Sequence, residues 1–191
     1  MSISAPNKAL FLDRDGVVNH EIGYLSRAED VRWMDGIIPL CQTAQSLNYK
    51  LVVVTNQSGI GRGLYSEQDF QSLMTFMRTE LARDSIILDA VYHCPFHPRE
   101  GIGEYKREHE DRKPGPGMLL RAARDLSLDL SHSILVGDRC SDIAAANTAG
   151  LLQAFLLAGT EENSCPGDSI AVHSLAEVEA WLTSRHPPAQ R

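Results

Sequence analysis

The chain has 191 residues, of which 43% are hydrophobic and 23% charged, a balance that suits one globular domain with a substantial core. Its net charge of −7, with no Lys/Arg-rich block, argues against a nucleic-acid or anionic-membrane surface, and no apolar stretch is long enough to span a bilayer. Residues 1–8 lack the apolar core of a signal peptide. Cys41, Cys94, Cys140 and Cys165 are too scattered for a disulfide framework, so reduced thiols in a cytoplasmic protein are expected.

Residues 8–12 form an apolar first strand that runs into Asp13-Arg14-Asp15-Gly16. Residues 16–34 read as loop, and Asp35 is placed to cap a helix reaching about Tyr49. Leu51-Val52-Val53-Val54 has the β-branched content of a strand buried on both faces. Ser66-Glu67-Gln68-Asp69 looks like a capping box, and Phe70, Leu73, Met74, Met77 and Leu81 follow at helical spacing. Residues 86–92 give a third strand. Residues 94–113 are polar and irregular, a loop long enough to suggest function in a compact domain. Pro116 opens a helix, residues 133–136 give a fourth strand, and a helix from about Ser141 stops at Gly150. A fifth strand over 151–157, a short one near Ala171-Val172 and a helix from Ser174 complete the pattern. This alternation predicts an α/β fold: a single Rossmann-like, doubly wound and mostly parallel sheet over residues 1–186, with a frayed tail at 187–191. In such sheets ligands bind outside the carboxyl ends of the strands.

Three of those strand ends carry chemistry. In extended chain, residues i and i+2 face the same way, so Asp13 and Asp15 address one spot. Their repulsion needs a cation, a shared proton or open solvent. Asp and Gly are also ordinary turn residues, so the pair alone says little. Its weight comes from Thr55-Asn56-Gln57-Ser58-Gly59 after the second strand, Gly137-Asp138-Arg139 with Asp142 after the fourth, and Arg112-Lys113-Pro114 before a helix. The set suits phosphoryl transfer. Asp13 can attack phosphorus as a carboxylate. Asp15 can protonate the leaving alkoxide and later activate water, which favours a raised pKa. Mg²⁺ suits Asp13, Asp138 and a phosphate oxygen, while Thr55, Asn56 and Lys113 can hold the remaining phosphoryl oxygens.

These residues resemble the four motifs of the haloacid-dehalogenase (HAD) phosphatases, and more closely a capless subgroup of that family acting on a heptose bisphosphate. Asn19, Gly23-Tyr24, Thr55 through Arg62 and Cys94-Pro95 extend the likeness, which covers roughly residues 8–157. Related capless members act on histidinol phosphate. The resemblance implies a HAD core without a large cap domain and a monomeric, Mg²⁺-dependent phosphomonoesterase acting on a small sugar phosphate. Asp13 would be the nucleophile and Asp15 the proton donor, with Asp13, Asp15 (through its carbonyl) and Asp138 holding Mg²⁺. Thr55 and Lys113 would bind the transferred phosphoryl group, and Asn56, Gln57 and Ser58 of the same motif would be substrate contacts. Arg112 and the Glu21-to-Tyr24 loop would meet the sugar or a second phosphate. Arg139 stands where the family usually has lysine, keeping the charge but not its geometry.

The long loop departs further. Family members often hold Zn²⁺ there through Cys-x-His and a later Cys-x-Cys; the positions here read Cys94, Phe96, His109 and Asp111, with His97 one residue from the lost ligand. Either Cys94, His97, His109 and Asp111 still hold zinc, or hydrogen bonds and packing hold the loop. Arg14 and Arg62 are open between substrate contact and solvated charge. Two other classes are weaker fits. A phosphoacceptor signalling module needs an adjacent acidic pair, here split by Arg14; a catalytically inactive phospho-ligand binder has no reason to keep every motif acid.

Overall fold

The computed structural model describes residues 7–157 and 165–185; the expected tail at 187–191 lies outside them. Six strands, β1 (Lys8–Leu12), β2 (Tyr49–Asn56), β3 (Leu88–Cys94), β4 (Ile134–Gly137), β5 (Gln153–Leu157) and β6 (Ile170–Val172), form one sheet in the order β3-β2-β1-β4-β5-β6. Every pairing is parallel. The chain works outward from β1 to β3, then crosses back to β4 on the other flank of β1. The switch point therefore lies between the carboxyl ends of β1 and β4, where such sheets open a crevice.

Strand alternation sorts the core into two layers. Leu10, Leu12, Leu51 and Val53 face α1 (Ile37–Ser46), α3 (Glu67–Arg83) and α6 (Leu175–Arg185). Ala9, Phe11, Val52 and Val54 face α4 (Gly117–Leu126) and α5 (Cys140–Ala149). A one-turn helix, α2 (Ser58–Gly61), follows β2. The described residues contain no second domain beside this sheet, in keeping with the predicted capless core.

The capping box is present: Asp69 N–H donates to Ser66 Oγ and Ser66 N–H to Asp69 Oδ2. Other boundaries shift for local reasons. Gly36, not Asp35, caps α1, because its φ of 86° turns the chain into the helix. That helix stops at Ser46 because Asn48, at φ 62°, reverses the chain into β2. Residues 84–87 make the turn that follows α3, with the Ile86 N–H bonded to Leu81 O, so β3 starts at Leu88.

One expectation is overturned. Cys140 and Cys165, read as reduced thiols, are joined in a disulfide with Cα atoms 5.1 Å apart, while Cys41 and Cys94 are free and buried. Their sequence separation concealed the pairing. Cys140 opens α5, and the chain beyond Cys165 folds back over that helix, bringing Gly167 against Asn147.

Phe155 on β5 is fully buried and meets Trp181 of α6 edge-on, with ring centroids 5.1 Å apart. Phe155→Ala should cost about 3–5 kcal/mol, read as a lower urea midpoint at unchanged m-value.

Candidate active site

Alternation along β1 continues past its last residue. Asp13 falls on the side of Ala9 and Phe11, and its N–H still bonds Val136 O at 3.0 Å, so β4 fixes the backbone there. Gly16, at φ 85°, lets the following turn press against Asp138; a Cβ at that position would overlap the Asp138 carboxylate. Asp13, Asp138 and Asp142 consequently converge, each with an oxygen within 4.8 Å of the others.

Lys113 lies at the centre of this cluster and is buried. Its Nζ sits 2.9 Å from Asp13 Oδ1, 2.5 Å from Asp142 Oδ1 and 2.9 Å from Val54 O. The long loop delivers it there through a reciprocal pair with β2: Asn56 Nδ2 donates to Lys113 O and Lys113 N–H donates to Asn56 Oδ1, each at 3.0 Å. Burial would lower the Lys113 pKa, but Asp13 and Asp142 raise it above the ordinary value, so it stays charged. Burial pushes Asp13 up to about 7, a rise that Lys113 opposes and Asp142 reinforces. Burial and then Asp142 push Asp138 up to about 6.

Asp15 behaves otherwise. It was expected to have a raised pKa, yet its carboxyl is held below the ordinary value. Burial alone would raise it, and the Arg14 guanidinium, Asn19 and Gln57 outweigh that effect. Gln57 Nε2 donates to Asp15 Oδ2 at 3.0 Å and to Thr55 Oγ1 at 2.7 Å, and Tyr65 Oη donates to Gln57 Oε1 at 2.5 Å. Gln57, expected as a substrate contact, is tied into the Asp15 network while still lining the cleft. Arg14, open between substrate contact and solvated charge, is neither: it is completely buried.

Above these residues opens a cleft of about 560 Å³, whose lining includes Asp13, Asp15, Thr55, Asn56, Gln57 and Lys113. Its rim carries the other predicted residues: Glu21, Tyr24, Ser58, Arg112 and Arg139. Arg139 pairs with Glu21 at 3.1 Å, Arg62 donates to Tyr24 Oη at 2.6 Å and also pairs with Glu100, and Arg112 donates to Phe96 O at 3.0 Å.

Three carboxylates in one spot are a donor set for a hard divalent cation. Asp138 Oδ1 is buried and has no hydrogen-bond partner among the described residues, as a ligand atom awaiting a metal would be. Asp142, noted in sequence for its spacing, joins this cluster and binds Lys113. Its place one helical turn past Asp138 was the available signal.

The HAD-hydrolase-like family model matches residues 111–177. Over 184 residues, covering 96% of this chain and 97% of the relative, the chain is 46% identical to the D-glycero-alpha-D-manno-heptose-1,7-bisphosphate 7-phosphatase of Burkholderia mallei. The chain belongs to the heptose-1,7-bisphosphate 7-phosphatase family of HAD-like hydrolases. A second relative, the D-glycero-beta-D-manno-heptose-1,7-bisphosphate 7-phosphatase of Escherichia coli K12, is 36% identical over 193 residues and the full length of both chains. Among solved structures, the D,D-heptose 1,7-bisphosphate phosphatase of B. bronchiseptica, complexed with magnesium and phosphate, superposes with a TM-score of 0.80 at 29% identity. It covers 93% of this chain and 99% of that one.

Among the described residues Cys94, His97, His109 and Asp111 do not gather into a metal-binding group. Among the described residues the only candidate metal group is the three aspartates. Cys94 is buried, and burial pushes its thiol up to about 11. His97 Nδ1 accepts from Glu100 N–H at 3.0 Å, and Asp111 pairs with Arg121 at 2.8 Å. His109 stacks on Phe96 at 4.4 Å between centroids, and Arg107 covers that ring at 4.2 Å. Phe96 is thus the centre of a stack.

Two outcomes follow for this heptose-phosphatase relative. Elemental analysis of protein purified without chelator should find no stoichiometric zinc, with a cooperative fold retained. The second concerns pH. The folded-state pKa of Asp138 lies above its ordinary 3.8, at about 6, so the folded state binds the extra proton and this group's contribution to stability falls as pH rises through that window. In metal-free protein, Asp138→Asn should therefore raise the urea midpoint relative to wild type at about pH 7.5 and match it near about pH 4.

Proposed function

We propose that this chain is a Mg²⁺-dependent phosphomonoesterase that removes the 7-phosphate of D-glycero-D-manno-heptose 1,7-bisphosphate, in the synthesis of heptose precursors for cell-surface polysaccharide. The observation that carries this reading is the placement of two carboxylates of opposite character on one cleft floor: Asp13 held by Lys113, and Asp15 held by Arg14, Asn19 and Gln57. Family membership along nearly the whole chain supports the substrate class.

In the first step an Asp13 carboxylate oxygen forms a bond to phosphorus as the bond from phosphorus to the sugar oxygen breaks. Asp15 gives its proton to the departing alkoxide. A phosphate dianion bound beside Asp15 is a like charge, which favours the protonated carboxyl that this step needs. In the second step water attacks phosphorus and Asp15 takes its proton. The bond between phosphorus and Asp13 breaks, releasing inorganic phosphate and restoring both aspartates.

Lys113, the Thr55 hydroxyl and Asn56 are the donors for the phosphoryl oxygens. Asp13, Asp138 and the Asp15 carbonyl would hold Mg²⁺, with Asp142 beside them. The bound cation would neutralise phosphoryl charge and the mutual repulsion of the acids. Arg112, Arg139, Glu21, Tyr24 and Ser58 would meet the sugar and its second phosphate. The reading also takes the enzyme as a monomer, places it in the cytoplasm and treats residues 1–186 as its working domain.

A steady-state panel of both anomers of the heptose bisphosphate, histidinol phosphate and common sugar phosphates should show the highest kcat/KM for a heptose bisphosphate. EDTA should abolish turnover and added Mg²⁺ restore it, and Asp13→Asn should lose at least about 10³-fold in kcat. A preference for histidinol phosphate would overturn the substrate, and unchanged turnover by Asp13→Asn would overturn the mechanism.

A further inference from the structure

The residue between the two catalytic acids is the largest fully buried side chain of the described structure. The parity of β1 puts it there. Position 14 continues the side of Leu10 and Leu12, toward α3, where the Arg14 guanidinium lies 5.7 Å from the centroid of Phe70. A charged group at such a site needs a partner, and Arg14 reaches back to its neighbour to find one. Its Nε donates to Asp15 Oδ1 at 3.0 Å and its Nη2 to Asp15 Oδ2 at 2.8 Å. That is the two-pronged fork that only arginine makes with a carboxylate. Nη2 also reaches Leu25 O at 3.3 Å, while Nη1 is buried without a hydrogen-bond partner among the described residues.

We infer that Arg14 is a positioning residue for the proton-transfer step: its buried fork fixes the plane and direction of the Asp15 carboxylate toward the leaving-group oxygen. Asn19 Nδ2 adds a bond to Oδ1 at 3.0 Å and Gln57 Nε2 adds one to Oδ2 at 3.0 Å. Asn19 and Gln57 are neutral donors that each hold one oxygen. Only Arg14 grips both, and it approaches from the core, opposite the cleft that Asp15 lines. Burial and the ring of Phe70 leave the guanidinium little freedom, so the carboxylate inherits its rigidity. Lysine at position 14 would keep the charge but lose the fork.

The inference rests on the phosphatase reading, and its test separates the two. Proton donation matters for an alkoxide leaving group and little for one stable as an anion. kcat/KM reports only the steps up to phosphoenzyme formation, so water attack does not enter. The measurement compares kcat/KM for heptose 1,7-bisphosphate with that for 2,4-dinitrophenyl phosphate, in wild type and in Arg14→Lys. The expected result is a loss of about 10²-fold on the sugar ester with less than about threefold loss on the aryl ester. Equal losses on both esters, or none, would overturn the positioning role. Wild-type protein that turns over neither ester would instead overturn the phosphatase reading. If Arg14→Lys shows no cooperative urea transition, Arg14→Gln, which carries no buried charge, takes its place. Failure of both variants to fold would make Arg14 a requirement of the fold and overturn the inference.

Discussion

The site depends on one buried ammonium group. The strand order brings the ends of β1 and β4 together and α5 begins just beyond, so Asp13, Asp138 and Asp142 are forced into one volume that little solvent reaches. Three carboxylates there would repel one another strongly at low effective dielectric. Lys113 offsets this by touching two of them and donating to a main-chain carbonyl of β2. It arrives from the opposite side of the switch point, on a loop pinned to β2 by Asn56. The acids and that loop therefore hold each other in place: the loop cannot retreat without stranding buried charge, and the acids cannot stay buried without the loop.

Much of this was legible in the chain because the information is local. A β-branched run identifies a buried strand, period-two alternation decides which way Asp13 and Asp15 point, and the fold rule places chemistry at strand ends. The parts that could not be read depend on distant partners. Asp15 looked like a carboxyl with a raised pKa until the structure placed a guanidinium and two amides against it. Gln57 sits in a phosphate-binding motif yet spends its amide on Asp15 and Thr55. The disulfide joins residues 25 positions apart, and no spacing rule reports the folding-back of a segment over α5. Helix ends moved by up to three residues where an unexpected left-handed residue, such as Gly36 or Asn48, turned the chain.

The long loop shows how packing alone can steady the residues that reach the cleft. Its task is to carry Arg112 and Lys113 to the cleft on a backbone that does not drift. An aromatic stack does the fixing: His109 and Arg107 lie against the Phe96 ring, and Tyr105 has its centroid 5.8 Å away. Arg112 is anchored to the same point through Phe96 O. Contacts of this kind are individually weak, so rigidity here comes from number and packing. Cys94, at the end of β3, is a buried core side chain.

Parity along β1 ties the fold to the chemistry in a way that neither explains alone. A strand ending in Asp-x-Asp at a crevice must turn its middle residue into the core, where an apolar side chain would be the plain choice. Arginine at that position is costly unless its charge is matched, and the nearest match is the acid two atoms of backbone away from its own Cα. The ion pair that makes Arg14 tolerable in the core is thus the same contact that restrains Asp15. Desolvation on one side and solvent in the cleft on the other keep the pair from dissolving into either medium. The cost of burying the guanidinium and the alignment of the proton-transfer group are settled by one interaction, and substitution at position 14 cannot alter the first without altering the second.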